Sequence, residues 1–324
     1  MISCTEFIPL YSEFFTFLDK RGGHDAVMRY WIHVSDNSIG DRTNPNSLIS
    51  FIERADDPFK GAVAYWDHTL TEEACDQYAV IDHKNQVKYS HMRHCPSRGR
   101  LNAFEHIEPY YDYCKHCDVI YQRVLEPFGI THEIDLSRID NAECNGLIYK
   151  TGHRPDVDIT KTEEVPTDDS MTIIDMKAED NKYLHRDFHL IGDLALSYCG
   201  EKFGDNCVVQ FLTEFTNRYY APQIEDIKNR GLVAIKEWLE ELYEIEEASE
   251  VLHTELTDDC LTVTIDKSPV IEYMHSLNQE PSRYYIEETR TVYNAVADAC
   301  NLGFTLNYYK EDGATQFKFF KRAF

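Results

Sequence analysis

The chain lacks any run approaching about 18 apolar residues, which excludes a membrane-spanning helix. Its first segment, MISCTEFIPLYSEFF, has no basic stretch ahead of its apolar residues and carries Glu6 early. A secretory leader is therefore not expected, and the cytoplasm is the expected location. Positive charge is also scarce: 32 Lys and Arg stand against 57 Asp and Glu, a formal net charge of −25. Such a mean field repels a phosphate backbone or an anionic bilayer, so neither nucleic acid nor membrane is an expected partner. What remains is a small-molecule substrate or ligand, or a second copy of the chain in a homo-oligomer.

What is there is enough for two ordinary domains: 324 residues, 43% of them hydrophobic. Ten cysteines, with no leader, read as reduced thiols rather than a disulfide framework. Cys199, Cys207 and Cys300 fall inside apolar helical patterns and are expected as small buried hydrophobes.

Residues 151–181 are rich in Thr, Asp, Glu and Pro and read as a linker holding at most one short strand, Met171–Met176. Similar features recur on either side of it. FLDKRGGHDAVMRYW (17–31) pairs with YCGEKFGDNCVVQFL (198–212), each with a Gly turn and then a helix with Asp25 or Asp205 at the cap. VKYSHMRHCP (87–96) pairs with LTVTIDKSP (261–269), each a strand ending in a small polar residue and Pro. EPYYDYCKHCDVIYQRVLEPFG (108–129) pairs with PSRYYIEETRTVYNAVADACNLG (281–303), each a helix ended by Gly. ITHEIDLSRIDNAECNGLIYK (130–150) pairs with FTLNYYKEDGATQFKFFK (304–321), each a hairpin. The Pro pair stands 173 residues apart and the Gly pair 174. The expected fold is α+β, a tandem duplication of a helices-strand-helix-hairpin unit packed as a pseudo-dimer, with residues 1–150 as one unit and 182–324 as the other. A long amphipathic helix is expected around Leu232, Ile235, Leu239 and Leu242.

The alignment sets Cys95 against Ser268, Cys114 against Glu288, Cys117 against Thr291 and Cys144 near Thr315. The second unit builds its frame without these thiols, so the fold does not need them. Cys114 and Cys117, three apart on a helix, project from one side. Cys95 stands at a helix N-cap, where the backbone N–H groups and dipole lower a thiol pKa. Three readings stay open: zinc held by Cys95, Cys114, Cys117 and Cys144, with His94 or His116 as substitutes; a nucleophilic or ligand-contacting thiol; or buried thiols with no common site. In NKYLHRDFHL (181–190), His185 and His189 stand four apart with Asp187 between them, and are read as a shared helix face or as part of a pocket.

The run from His94 to Lys150, with Cys95-Pro96, Tyr113-Cys114, Cys117 and Cys144, resembles the L-2-amino-thiazoline-4-carboxylic acid hydrolase-like family, over residues 87–150. Its layout is also similar to the 4-vinyl reductase-like ligand-binding domains, in which cysteines can hold zinc. The hairpin departs from the hydrolase-like pattern, reading CNGLIY where an aromatic follows the Cys. The resemblance implies a small-molecule hydrolase that opens a cyclic C–N or C–S substrate of the aminothiazoline carboxylate type. Cys114 or Cys117 would then act as nucleophile or metal ligand, and His116, His185 or Asp187 would move protons. The alternative is a non-catalytic small-molecule-binding or zinc-stabilised scaffold protein.

Overall fold

The computed structural model describes residues 1–322 and is mixed α+β, with two antiparallel sheets. In chain order the helices and strands are α1 (Phe7–Gly22), α2 (His24–Val34), α3 (Leu48–Arg54), α4 (Pro58–Glu72), β1 (Asp76–Asp82), β2 (Val87–His94), α5 (Pro96–Ala103), α6 (Lys115–Leu125), β3 (Ile130–Asp135), β4 (Cys144–Lys150), β5 (Thr172–Met176), α7 (Asp187–Phe203), α8 (Asp205–Tyr219), α9 (Ala221–Arg230), α10 (Leu232–Ile245), β6 (Leu252–Leu256), β7 (Cys260–Ile265), α11 (Pro269–Ser276), α12 (Glu287–Ala299), β8 (Leu302–Tyr309) and β9 (Thr315–Lys321). No helix among the described residues is long and apolar enough to cross a membrane.

The chain divides into two compact units, but not at the expected boundary. Leu18–His185 form one, here the cysteine unit; Met1–Phe17 join the chain from Arg186 onward in the other, the C-terminal unit. The opening residues are held there by Cys4 N donating to Glu246 Oε1 at 2.6 Å and by Phe7 stacked on Phe188 at 4.5 Å. Segment 151–181 is not a free linker either. Its β5 pairs antiparallel with β1, and Val157, Ile159, Val165 and Met171 pack on Val80, Val87, Tyr89, Leu147 and Tyr149. Those four spaced apolar residues cover one face of the sheet, which lets the segment stay polar elsewhere.

The cysteine unit's sheet runs β3-β4-β2-β1-β5 and the C-terminal unit's runs β8-β9-β7-β6 when read from the matching edge. Four of the five strands thus share one order with all four of the other sheet. In each unit a strand leads through an N-cap side chain and a Pro into a short helix: Cys95 accepts from Arg98 N, Ser268 from Ile271 N. Gly23 (φ 65) and Gly204 (φ 91) precede α2 and α8 in left-handed conformations that a side chain would strain, so Asp25 and Asp205 lie in first turns rather than at caps. A spacing of 172 residues separates the start of α6 from that of α12 and the start of β3 from that of β8. That register corrects the sequence alignment. Cys114 matches Ile286 rather than Glu288, Cys117 matches Thr289 rather than Thr291, and it is His116 that matches Glu288.

In the C-terminal unit the helix-facing side of the sheet is filled. Leu261, Val263 and Ile265 of β7 stand opposite Phe319, Phe317 and Thr315 of β9, all buried, and Tyr293 of α12 packs 5.0 Å from Phe317. α10 buries Leu232, Ile235, Leu239 and Leu242 as its periodicity demands.

Candidate functional site

The matching face of the cysteine unit is built differently. Cross-strand pairs Met92–Cys144, Ser90–Gly146 and Lys88–Ile148 stand where the other sheet has Ile265–Thr315, Val263–Phe317 and Leu261–Phe319. A Val and a Phe are thus replaced by Ser90 and Gly146, and a Leu by Lys88. On the neighbouring strands, Gln77 pairs with Met92 and His132 with Ile148. Large apolar side chains fill the C-terminal unit at positions that are small or polar here, so the layer between this sheet face and the helices α4 and α6, called the chamber below, is lined by small and polar side chains. Trp66 of α4 stacks on His132 at 5.7 Å, and Tyr121 of α6 meets His132 edge-on at 5.9 Å. The matched pair in the other unit, Tyr293 and Phe304, keeps that edge-on geometry at 6.2 Å.

The thiols crowd one end of this chamber. None of the ten cysteines, all among the described residues, forms a disulfide, and Cys95, Cys114, Cys117 and Cys144 are each neither fully buried nor exposed. Burial raises the Cys117 thiol well above its usual value, and Cys114, Cys95, Cys144 and Glu73 nearby raise it further. Cys95 is pushed up to about 12, chiefly by burial, which outweighs the Arg98 N–H reaching its sulfur at 3.4 Å. The capping position therefore does not activate this thiol as the sequence led one to expect. Cys114, the N-cap of α6, is pushed up to about 11 by burial, with Arg98 opposing. Cys144 is raised by burial and by Cys95 and Cys114.

His116 supplies the chemistry these thiols lack. Its Nδ1 donates to the Tyr113 carbonyl, which leaves Nε2 as an acceptor, and Cys117 Sγ lies 3.6 Å from it. Burial lowers the imidazole to about 4, so it is neutral and basic in form at ordinary pH. The pair stands as thiol and imidazole, not as thiolate and imidazolium. Sequence reasoning missed Glu73, whose carboxyl is raised by burial and held by Ser97, with His185 and Arg100 opposing the rise. It also missed Cys75, pushed up to about 12 by burial, and Lys88. The signal lay in EEAC (72–75), directly after α4.

The other expected residues are not gathered. His185 Nδ1 binds Glu72 Oε2 at 2.7 Å in the cysteine unit, whereas His189 Nε2 binds Glu246 Oε2 at 3.0 Å in the C-terminal unit. α7 begins only at Asp187, so the two histidines do not share a helix face. Asp187 accepts from the Tyr273 hydroxyl at 2.7 Å, within the C-terminal unit. Among the described residues no three His, Cys, Asp or Glu side chains are disposed to hold a metal ion, so Cys95, Cys114, Cys117 and Cys144 do not stand at zinc-ligand distances. Cys199 and Cys207 are buried, and Cys300 is partly so.

No family model, curated protein or solved structure matches the chain.

Proposed function

We propose that the cysteine unit is the catalytic half of a small-molecule hydrolase acting on a cyclic C–N or C–S substrate of the aminothiazoline carboxylate type. The observation that carries this reading is the Cys117 thiol set 3.6 Å from His116 Nε2, in a ring whose Nδ1 donates to the Tyr113 carbonyl. The polar chamber beside it is the supporting observation, because the matched face of the other unit is filled. The C-terminal unit is read as a second copy of one ancestral unit that lacks the thiols and the polar sheet face. Free thiols throughout fit a cytoplasmic location.

In this reading Cys117 attacks the amidine-type ring carbon as its proton passes to His116 Nε2. The imidazolium returns that proton to the departing ring nitrogen, and the C–N bond breaks. Water then attacks the carbon–sulfur adduct and expels the Cys117 thiol, so the net change is addition of one water. Glu73, in electrostatic reach of Cys117 and His185, would relay the second proton in this reading. Among the described residues Cys114 has no recorded bond to a histidine, and it is given no step in this mechanism.

Cys117→Ser is expected to lower turnover of 2-aminothiazoline-4-carboxylate by about 10²-fold or more, since a positioned base and nucleophile contribute on that scale. Cys114→Ser should stay within a few-fold of wild type. Unchanged turnover by Cys117→Ser would remove the nucleophile from this account.

The mutual electrostatic reach of Cys95, Cys114, Cys117 and Cys144 favours a second reading, a zinc-stabilised scaffold whose sulfurs move inward to about 2.3 Å from the metal. It requires one zinc per purified chain and a melting temperature that falls on chelation.

A further inference from the structure

The chamber's far end carries a cation that the mechanism above does not use. Lys88 lies mid-strand in β2, 1% exposed, opposite Ile81 and Ile148. Its ammonium makes no hydrogen bond or ion pair among the described residues; its nearest recorded partner is the Trp66 ring, 5.6 Å away. Asp67 and Cys75 act on it only from a distance, and burial outweighs both, lowering the amine to about 8. A second group is in the same condition. Gln77, also 1% exposed and on the same sheet face, has a side-chain nitrogen with no hydrogen-bond partner.

Burying an ammonium and an amide N–H without acceptors is costly, and native proteins rarely leave them so. The sheet itself does not need them, because the C-terminal unit has Leu261 at the position of Lys88 and Leu252 at that of Gln77. Between the two lie Ser90 and Gly146, where the other unit has Val263 and Phe317. The chamber thus offers unused donors around small residues, inside a chain whose net charge of −25 would otherwise repel anions. A single ammonium matches a compact monoanion, and the Gln77 amide, in the row of Met92 four residues further along β2, matches an acceptor at the other end of a ligand. A phosphate would leave several oxygens without donors.

We infer that Lys88 is the anchor for the carboxylate of a small heterocyclic acid bound over Ser90 and Gly146, with the Gln77 amide as a donor toward the other end of that ligand. This rests on the chamber of the proposed hydrolase and names the charged group of its substrate, but binding can be read without turnover.

The test is calorimetric titration of the full chain with thiazolidine-4-carboxylate, its carboxamide and inorganic phosphate, in wild type, Lys88→Met and Lys88→Gln. Wild type is expected to bind the carboxylate at least tenfold more tightly than the carboxamide. Both variants should lose that preference while melting at or above the wild-type temperature, because each removes a buried unpaired charge. If one variant fails to fold, the other decides. Equal binding of acid and amide, a preference that survives in a folded Lys88 variant, or tighter binding of phosphate would each overturn the inference. A Lys88-dependent preference without hydrolysis of 2-aminothiazoline-4-carboxylate would uphold it while the hydrolase reading fails. Hydrolysis with no such preference would do the reverse.

Discussion

Cys117 and His116 are neighbours in sequence, yet their pairing depends on the last turn before α6. The Tyr113 carbonyl takes the His116 Nδ1 proton and so fixes which ring nitrogen faces the sulfur. His116→Gln keeps a side chain at that place but removes the basic nitrogen. Activity in this variant is expected to fall about as far as in Cys117→Ser, and a double variant should cost little more, since the two act as one unit. Additive losses in the steady-state rates would mean that they work separately. The thiols also make a chemical prediction. With Cys114 raised to about 11, its alkylation by iodoacetamide should accelerate about tenfold per unit between pH 8 and 10, because only the thiolate reacts. A rate that levels off below pH 8 would show an activated thiol instead. Of these features the sequence exposed Cys95, Cys114, Cys117, Cys144 and His116. It hid Glu73 and Lys88, because a lone Glu or Lys in a pattern says nothing of which side of its element is buried.

At the scale of elements, the succession of strand, helix and hairpin along the chain was legible: the Cys95-Pro96 and Ser268-Pro269 starts, the helices α6 and α12, and the closing hairpins. The slip of two residues in matching Cys114 came from aligning Gly129 with Gly303. Gly129 (φ 67) ends its helix in the left-handed region, but Asn301 (φ 56), not Gly303, does that job in the C-terminal unit. Asn tolerates that conformation, so the glycine signal pointed to the wrong residue. The pair of histidines failed for a related reason: a period of four means a shared face only where a helix exists, and α7 starts after His185. The hollow face of the sheet yields an element-scale prediction. Ser90→Val copies Val263 of the filled unit and gives up the Ser90 hydroxyl bond to the Gly146 carbonyl at 3.2 Å. Carboxylate binding should weaken tenfold or more while the melting temperature moves by only a few degrees. Unchanged affinity would place the ligand elsewhere.

At the scale of the molecule, the buried histidines of one unit and the buried glutamates of the other carry opposite proton linkages, against which Glu73 in the first and Glu246 in the second are shifted the other way. In the cysteine unit His116 and His132 are both lowered to about 4 by burial, from an ordinary value of 6.5. Between those values the unfolded chain binds more protons than the native one, so this unit loses stability as pH falls from 6.5 toward 4. In the C-terminal unit burial raises Glu6 and Glu288 to about 7, from 4.5. There the native state binds more protons, and stability declines as pH rises from 4.5 through 7. Hydrogen exchange resolved by unit should therefore show protection in Leu18–His185 falling on acidification from pH 7 to 5, while protection in the residues around α12 rises. Parallel changes in both units would contradict these linkages.

The most direct measurement is the alkylation of Cys117 by iodoacetate and by iodoacetamide, followed by peptide mass spectrometry of wild type and Lys88→Met. The two reagents differ chiefly in charge, and the net charge of −25 should disfavour the anion everywhere on the surface. If Lys88 at one end of the chamber draws carboxylates toward the thiol paired with His116 at the other, iodoacetate will modify Cys117 faster than iodoacetamide in wild type, and the order will reverse in Lys88→Met. Slower modification of Cys117 by iodoacetate than by iodoacetamide in wild type, as at any exposed thiol of so acidic a chain, would contradict the account.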